Sequence, residues 1–310
     1  MNDKKIVVVM GGTSTEAEVS RRSGGAILAA LKGKGYNVEG LELNPLTFSE
    51  DIKALKPAMV FNALHGKFGE DGIVQGALKM LDIPFTGSDI LASALTMNKA
   101  ATKRLLFAEG VSTPKYIVYR KNDNRDEAAE EILREFSLPV VIKAATQGSS
   151  IGVYIVENAA DLQEALANAF SYDNEVLAES FVKGRELTVA VFGDEKKAKA
   201  LPVIEITTKS GRYDYESKYT AGASTHIVPA PLADEKTAEV KALAERTFLL
   251  CGCVGVARVD LMLDENNVPF VIEVNSVPGM TETSLVPDAA KAAGMDFAAL
   301  CEKILGMAGF

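Results

Sequence analysis

The sequence predicts an α/β fold that opens with a parallel sheet, and three observations carry that expectation. The apolar run Ile6-Val7-Val8-Val9-Met10 ends at Gly11-Gly12 and is followed by helical periodicity from Glu16 to Lys32. Two more apolar runs, Tyr36 to Leu43 and Ala58 to Leu64, alternate with helical stretches, the pattern that builds parallel strands joined by short crossovers. The 310 residues are 47% hydrophobic and 24% charged, which supplies material for more than one packed core.

Pro84 and Gly87 mark the turn that closes this first region. From Thr96 the pattern changes to a helix over Asn98 to Glu109, then strands at Tyr116 to Tyr119 and Val140 to Lys143. Between those strands Asp123 to Glu135 is charged with helical period, and a solvated helix face accounts for it. Val176 to Val182 reads as another strand, followed by further strands and two C-terminal helices. Lys209 to Ser224, rich in Tyr, Ser, Gly and charge, reads as a surface loop able to order over a ligand. Boundaries near residues 95 and 180 divide the chain into regions 1–95, 96–180 and 181–310.

A net charge of -9 opposes an extended nucleic-acid footprint, which needs a basic face. A single nucleotide site needs only a few cations and remains compatible with it. No apolar window reaches the roughly 18 to 20 residues of a membrane span, and the run at Ile6 is too short for a signal-peptide core, so a cytoplasmic location is expected. Cys251, Cys253 and Cys301 form no CxxC pair and read as small buried hydrophobes.

The strongest chemical signal is Gly255 to Leu263 and Pro269 to Asn275, two strands joined by Asp264-Glu265-Asn266-Asn267. Alternation puts Arg258 and Asp260 on one face, and Glu273 and Asn275 together on the partner strand. Two carboxylates and an amide oxygen flanked by Val, Leu and Ile call for a compensating cation, and an oxygen-only set suits Mg2+. Arg258 beside them suits charge developing on a transferred group. The bland alternative is an exposed sheet face where Arg258 pairs with Asp260 or Glu273 and Asn275 caps the following turn. A second signal is the apolar strand Leu138 to Lys143 followed by Gly148-Ser149-Ser150, a lysine and donor-rich loop suited to phosphate, or an ordinary glycine turn. A third is His65-Gly66-Lys67-Phe68-Gly69-Glu70-Asp71-Gly72 at the end of a strand, where α/β sheets bind ligands. His65 has no metal-ligand partner at helical or strand spacing and reads as a hydrogen-bonding residue. No GxxxxGK[ST] run is present, and Gly11-Gly12-Thr13-Ser14 does not complete a GxGxxG fingerprint.

Taken together, Gly11 to Glu16 with Val19-Ser20, His65 to Gly72, Lys143 to Ser150, Tyr215 to Tyr219, Arg258 to Asp260 and Glu273 to Leu285 make the chain, end to end, resemble the D-alanine–D-alanine ligases of the ATP-grasp superfamily. The resemblance implies an ATP-grasp fold, α+β in the ATP-binding part, behind an N-terminal Rossmann-like parallel-sheet domain. It implies that ATP contacts Lys99 and Lys143 through its phosphates, Glu179 and the backbone near Val182 through adenine, and Glu186 through ribose, with Ser149 in the phosphate loop. Asp260, Glu273 and Asn275 would hold two Mg2+ ions, with Mn2+ as a substitute. Glu16 would take the ammonium of a first D-alanine near His65, and Ser284 with Leu285 the carboxylate of a second. Arg258 and the backbone N–H of Gly279 would stabilise the oxyanion. Glu16, Ser149 and Tyr219 would pin the 209–224 loop over the site, with Lys218 reaching the reacting centre. The plainer readings of these residues are a helix-favouring Glu16, a helix-capping Ser149 and a surface Tyr219. The resemblance further implies a homodimer and partners limited to ATP and D-alanine, with no nucleic acid and no membrane.

Overall fold

In the computed structural model of the chain, which describes residues 4–208 and 223–309, Ile6–Met10 forms strand β1. Its residues Ile6 to Val9 are fully buried, as expected of a central parallel strand covered on both faces. Helix α1 (Ala17–Gly33), β2 (Val38–Glu42), α2 (Phe48–Leu55), β3 (Met59–Asn62), α3 (Ile73–Met80) and α4 (Ile90–Met97) follow. The three strands are parallel in the order β2-β1-β3. Alternation sends Ile6 and Val8 onto α1 and the C-terminal part of the chain, and Val7 and Val9 onto α2 and α3. The expected runs at 36–43 and 58–64 are thus trimmed at both ends.

Asn98 caps α5 (Lys99–Ala108) by accepting from the Ala101 N–H at 2.9 Å. Then come β4 (Tyr116–Arg120), α6 (Arg125–Glu135), β5 (Val140–Ala144), β6 (Val153–Val156), α7 (Leu162–Tyr172) and β7 (Glu175–Ser180). These strands form an antiparallel sheet in the order β4-β7-β5-β6, with α6 and α7 packed on one face.

The remaining strands are β8 (Gly184–Gly193), β9 (Ala198–Ala200), β10 (Ile204–Thr208) and β11 (Ser224–Ile227), then α8 (Asp234–Leu250), β12 (Gly255–Asp264) and β13 (Pro269–Asn275). They make an antiparallel sheet ordered β11-β10-β8-β12-β13, with β9 added to β8. Helix α8 covers one face, where Val240, Ala244 and Phe248 meet Leu187, Val189, Val259, Leu261, Val271 and Val274. Helix α9 (Leu285–Ala292) packs against β8, and α10 (Phe297–Met307) packs against α9 and α1, joining the core of the first sheet. No helix among the described residues is long and apolar enough to cross a membrane.

Candidate functional site

A cleft of about 1040 Å³ lies between the two antiparallel sheets, a volume at the upper end of ordinary ligand pockets. Val141, Lys143, Val153, Ile155 and Glu179 line it from one sheet, and Glu186, Ile206, Asp260, Met262 and Glu273 from the other. Lys143 and Glu179 project from neighbouring strands, and the Lys143 ammonium donates to Glu179 Oε2 at 2.7 Å. Lys103 approaches the other oxygen at an ion-pair distance of 3.5 Å. Burial alone would push the Glu179 carboxyl up, but the two lysines outweigh it and hold it below its ordinary range. Lys99, the first residue of α5, donates to the Gln147 carbonyl at 2.6 Å and stands 3.4 Å from Glu273 Oε2.

The acidic hairpin closes the inner end of the cleft. Asp260 pairs directly with Glu273, and Arg258 with Asn275. The register then shifts, so that Leu261 faces Val271 and Ile272 is the extra residue of a β-bulge. The bulge has a functional consequence. Val271 and Val274 both reach the core under α8, which strict alternation forbids, and Glu273 and Asn275 are thereby turned to the face carrying Asp260. Arg258 grips Asp260 with two bonds of 2.8 and 2.7 Å, Thr188 donates to Asp260 Oδ1 at 2.5 Å, and the Asn275 amide donates to Oδ2 at 3.0 Å. The ion pair of the bland sequence reading therefore exists, yet on a half-buried face that lines the cavities rather than open solvent. Two carboxylates and an amide, every donor atom an oxygen, fit Mg2+ rather than a softer metal. Arg258 and Lys99 now balance these carboxylates. Among the described residues no cluster of three or more His, Cys, Asp or Glu side chains offers an alternative metal site.

Glu273 also lines a second, smaller pocket of about 80 Å³ bounded by Glu16, His65, Glu70, Gly148, Ser149, Arg258, Gly279 and Ser284. Glu16 stands at the N-terminus of α1, but its side chain caps nothing there and accepts a hydrogen bond from Ser149 Oγ. Ser149 and Ser150 both have positive φ, 51° and 61°, and a strand rather than a helix follows them. A Cβ on Gly148 would come within 2.4 Å of Glu16 Oε2, so this contact requires glycine. His65 Nε2 lies 3.1 Å from Ser23 Oγ, which also accepts from the Met280 N–H at 3.2 Å. Burial, with help from Arg258, holds the His65 imidazole below its ordinary value despite Glu16, favouring its neutral form. Glu70 accepts from the Gly66 N–H at 2.7 Å. Burial, reinforced by Glu16 and Glu273, pushes the Glu70 carboxyl well above its ordinary value. Ser284 is the N-cap of α9 and its hydroxyl accepts from the Thr281 N–H at 2.9 Å, with Leu285 buried behind it.

The structure thus gathers Glu16, His65, Ser149, Arg258, Glu273, Asn275, Gly279, Ser284 and Leu285 around one pocket, and Lys99, Lys143, Glu179, Val182, Glu186, Asp260 and Glu273 around the adjoining cleft. Lys218, Tyr219 and all but the last two residues of the loop expected over 209–224 lie outside the described residues, and Ser224, expected in that loop, begins β11. Sequence reading gave no role to Lys103, Thr188 or Glu70. Lys103 had a detectable signal, since it follows Lys99 by one helical turn on the same face. Thr188 had none, because its pairing with Asp260 is a register between strands distant in sequence.

Two antiparallel sheets closing on a nucleotide-sized cleft, with an oxygen-donor hairpin where it meets a polar pocket, place the chain among the ATP-grasp ligases. Comparison with known proteins narrows the class. The description D-ala D-ala ligase C-terminus matches residues 105–306, and D-ala D-ala ligase N-terminus matches residues 40–88. The chain is 50% identical over 307 residues to D-alanine–D-alanine ligase of Moorella thermoacetica, covering 98% of this chain and 99% of the relative. It superposes on the Bacillus anthracis D-alanine–D-alanine ligase complexed with ATP with a TM-score of 0.84 at 34% identity, covering 98% of this chain and 97% of the other. The VanG D-Ala:D-Ser ligase of Enterococcus faecalis gives a TM-score of 0.83 at 29% identity, covering 98% and 99%. The chain belongs to the D-alanine–D-alanine ligase family.

Proposed function

We propose that the protein joins two D-alanines into D-alanyl-D-alanine in a reaction driven by ATP, in the cytoplasm, for peptidoglycan precursor synthesis. The γ-phosphoryl group passes to the carboxylate of the first D-alanine, giving ADP and a D-alanyl phosphate. The amine of the second D-alanine attacks the acyl carbon, and the tetrahedral intermediate expels phosphate. The observation that carries this reading is that the cleft and the polar pocket share Glu273, so a phosphate tail in one meets a carboxylate in the other.

In the cleft Lys99 and Lys143 bind phosphates beside the Ser149 loop, Glu179 and the backbone at Val182 receive adenine, and Glu186 the ribose hydroxyls. Asp260, Glu273 and Asn275 would hold two Mg2+ ions, replaceable by Mn2+, which would supply charge neutralisation to the phosphoryl oxygens when bound. In the pocket Glu16 binds the first ammonium near His65, and Ser284 with Leu285 orients the second carboxylate. Arg258 and the Gly279 N–H balance the oxyanion. Lys218 and Tyr219 are assigned to a lid on the resemblance alone. On this reading the chain divides into regions 1–95, 96–180 and 181–310, each with a sheet in support of it, and two copies of the chain are taken as a homodimer on the resemblance alone.

Phosphate release measured with D-alanine, D-serine, D-lactate and L-alanine, with products identified by mass spectrometry, tests the reaction and its substrate together. D-Alanyl-D-alanine is the expected product, and equal release with L-alanine would sink the stereochemical assignment.

A further inference from the structure

We propose that Lys103 is a positioning residue for adenine recognition, holding the Glu179 carboxylate in place so that Lys143 is free to serve the phosphates. The inference rests on the reading above, in which Glu179 receives adenine and Lys143 contacts the phosphates; an ionised carboxylate only accepts, so the group it meets is the adenine amino donor.

The two lysines divide one carboxylate between them. Lys143 Nζ donates to Glu179 Oε2 at 2.7 Å, while Lys103 Nζ lies 3.5 Å from Oε1, for which no hydrogen-bond partner is present among the described residues. Their surroundings differ. Lys143 lines the cleft, whereas Lys103 is 1% exposed and lies behind the wall. Lys103 also donates to Thr113 Oγ1 at 2.6 Å and to the Pro114 carbonyl at 3.4 Å, and its ammonium sits 5.4 Å above the Tyr116 ring. Thr113 in turn donates to the Val271 carbonyl at 2.8 Å, which ties this anchor to the strand that carries Glu273.

Burying an ammonium is costly, and a methionine of similar length would pack as well without that cost. Burial pushes the Lys103 ammonium down to about 8 even with Glu179 beside it. A carboxylate explains the charge. When Lys143 turns to the phosphates, Glu179, 1% exposed, needs a second cation to stay ionised. Without one it takes up a proton and presents a donor to the adenine amino donor, an arrangement that suits the O6 acceptor of guanine instead. Lys103, out of reach of the ligand, provides that cation throughout turnover.

The test is a cycle of Lys103→Met and Glu179→Gln, with KM for ATP, kcat and the ATP-over-GTP preference measured on proteins whose folding is checked by circular dichroism. Because the adenine amino group loses a charged acceptor, Lys103→Met is expected to raise KM for ATP by about tenfold or more. The ATP preference falls in parallel, kcat at saturation changes little, and Lys103→Arg restores part of the loss. In the Glu179→Gln background the Lys103→Met effect disappears. Should Lys103→Met alone fail to fold, Glu179→Gln and the double variant, in which the buried charge is removed with its partner, carry the same comparison. Equal effects of Lys103→Met in both backgrounds, or none in either, overturn the proposal alone. A Glu179→Gln protein with unchanged KM and preference overturns the adenine reading and the proposal with it.

Discussion

Glu179 in the cleft and Glu70 in the adjoining pocket are withdrawn from water by the same fold, yet their carboxyls move in opposite directions. Lys143 and Lys103 hold Glu179 below its ordinary range. Glu70, with Glu16 and Glu273 as neighbours and only a backbone N–H and the Arg258 charge in its favour, is pushed well above it. Burial penalises both charged forms, and the sign of the neighbouring charge decides the outcome. The same contrast divides the site. In the cleft Lys99 and Lys143 are the cations offered to an anionic tail, Lys183 and Arg185 being paired with Glu265 and Glu205, whereas the pocket gathers Glu16, Glu70 and Glu273, which suits an ammonium, beside Arg258.

The largest effect is expected where the two halves join. Glu273→Gln should lower kcat by about a hundredfold or more, the scale of losing one electrostatic contact to a reacting group, while circular dichroism stays unchanged. Unchanged turnover would remove Glu273 from the metal site. Gly148→Ala should separate the halves, because its Cβ lands 2.4 Å from Glu16 Oε2 and must displace that carboxylate. About a tenfold rise in KM for D-alanine, larger than any rise in KM for ATP, is expected, at the ~1.4 kcal/mol per decade that a lost charged contact readily exceeds. A matching rise in KM for ATP would show that the two cavities are not independent. Thr188→Val keeps volume but removes the bond to the Asp260 carboxylate, worth about 1.5 kcal/mol, and up to about a tenfold loss of kcat with intact fold is expected.

Glu70→Gln gives the smallest effect and sharpens the contrast of the two carboxyls. Because the Glu70 carboxyl is raised in the folded state, its contribution to stability is complete below the ordinary carboxyl range and is lost as pH rises through the raised value. The variant lacks that loss, so its melting temperature should match the parent's in acid and gain on it as pH rises above the ordinary carboxyl range. A gain that is independent of pH would show that Glu70 is not strained by its neighbours.

Much of the site was legible along the chain, because its motifs are local. The hairpin from Gly255 to Asn275, the Lys143 strand with its glycine-serine loop, and the placing of His65 at a strand end all follow from period-2 alternation and turn residues. Glu16 could be read as a helix-favouring residue, and it does stand at the start of α1; only the fold turns its side chain to Ser149, 133 positions away. Strict alternation placed Glu273 and Asn275 on one face, which is right for those two. It left Val271 on that face as well, and the bulge at Ile272 corrects this.

By itself the sequence determined which segments are strands and helices and which residue types stand at strand ends, since hydrophobic period and turn chemistry act between near neighbours. The tertiary structure decided the partners: Lys103 behind Glu179, Thr188 on Asp260, Glu70 among carboxylates, and Glu273 shared by two cavities. Those contacts depend on inter-strand register and on how separate sheets close on one another. Charge interactions in a desolvated space follow distance rather than chain position, so no local pattern records them.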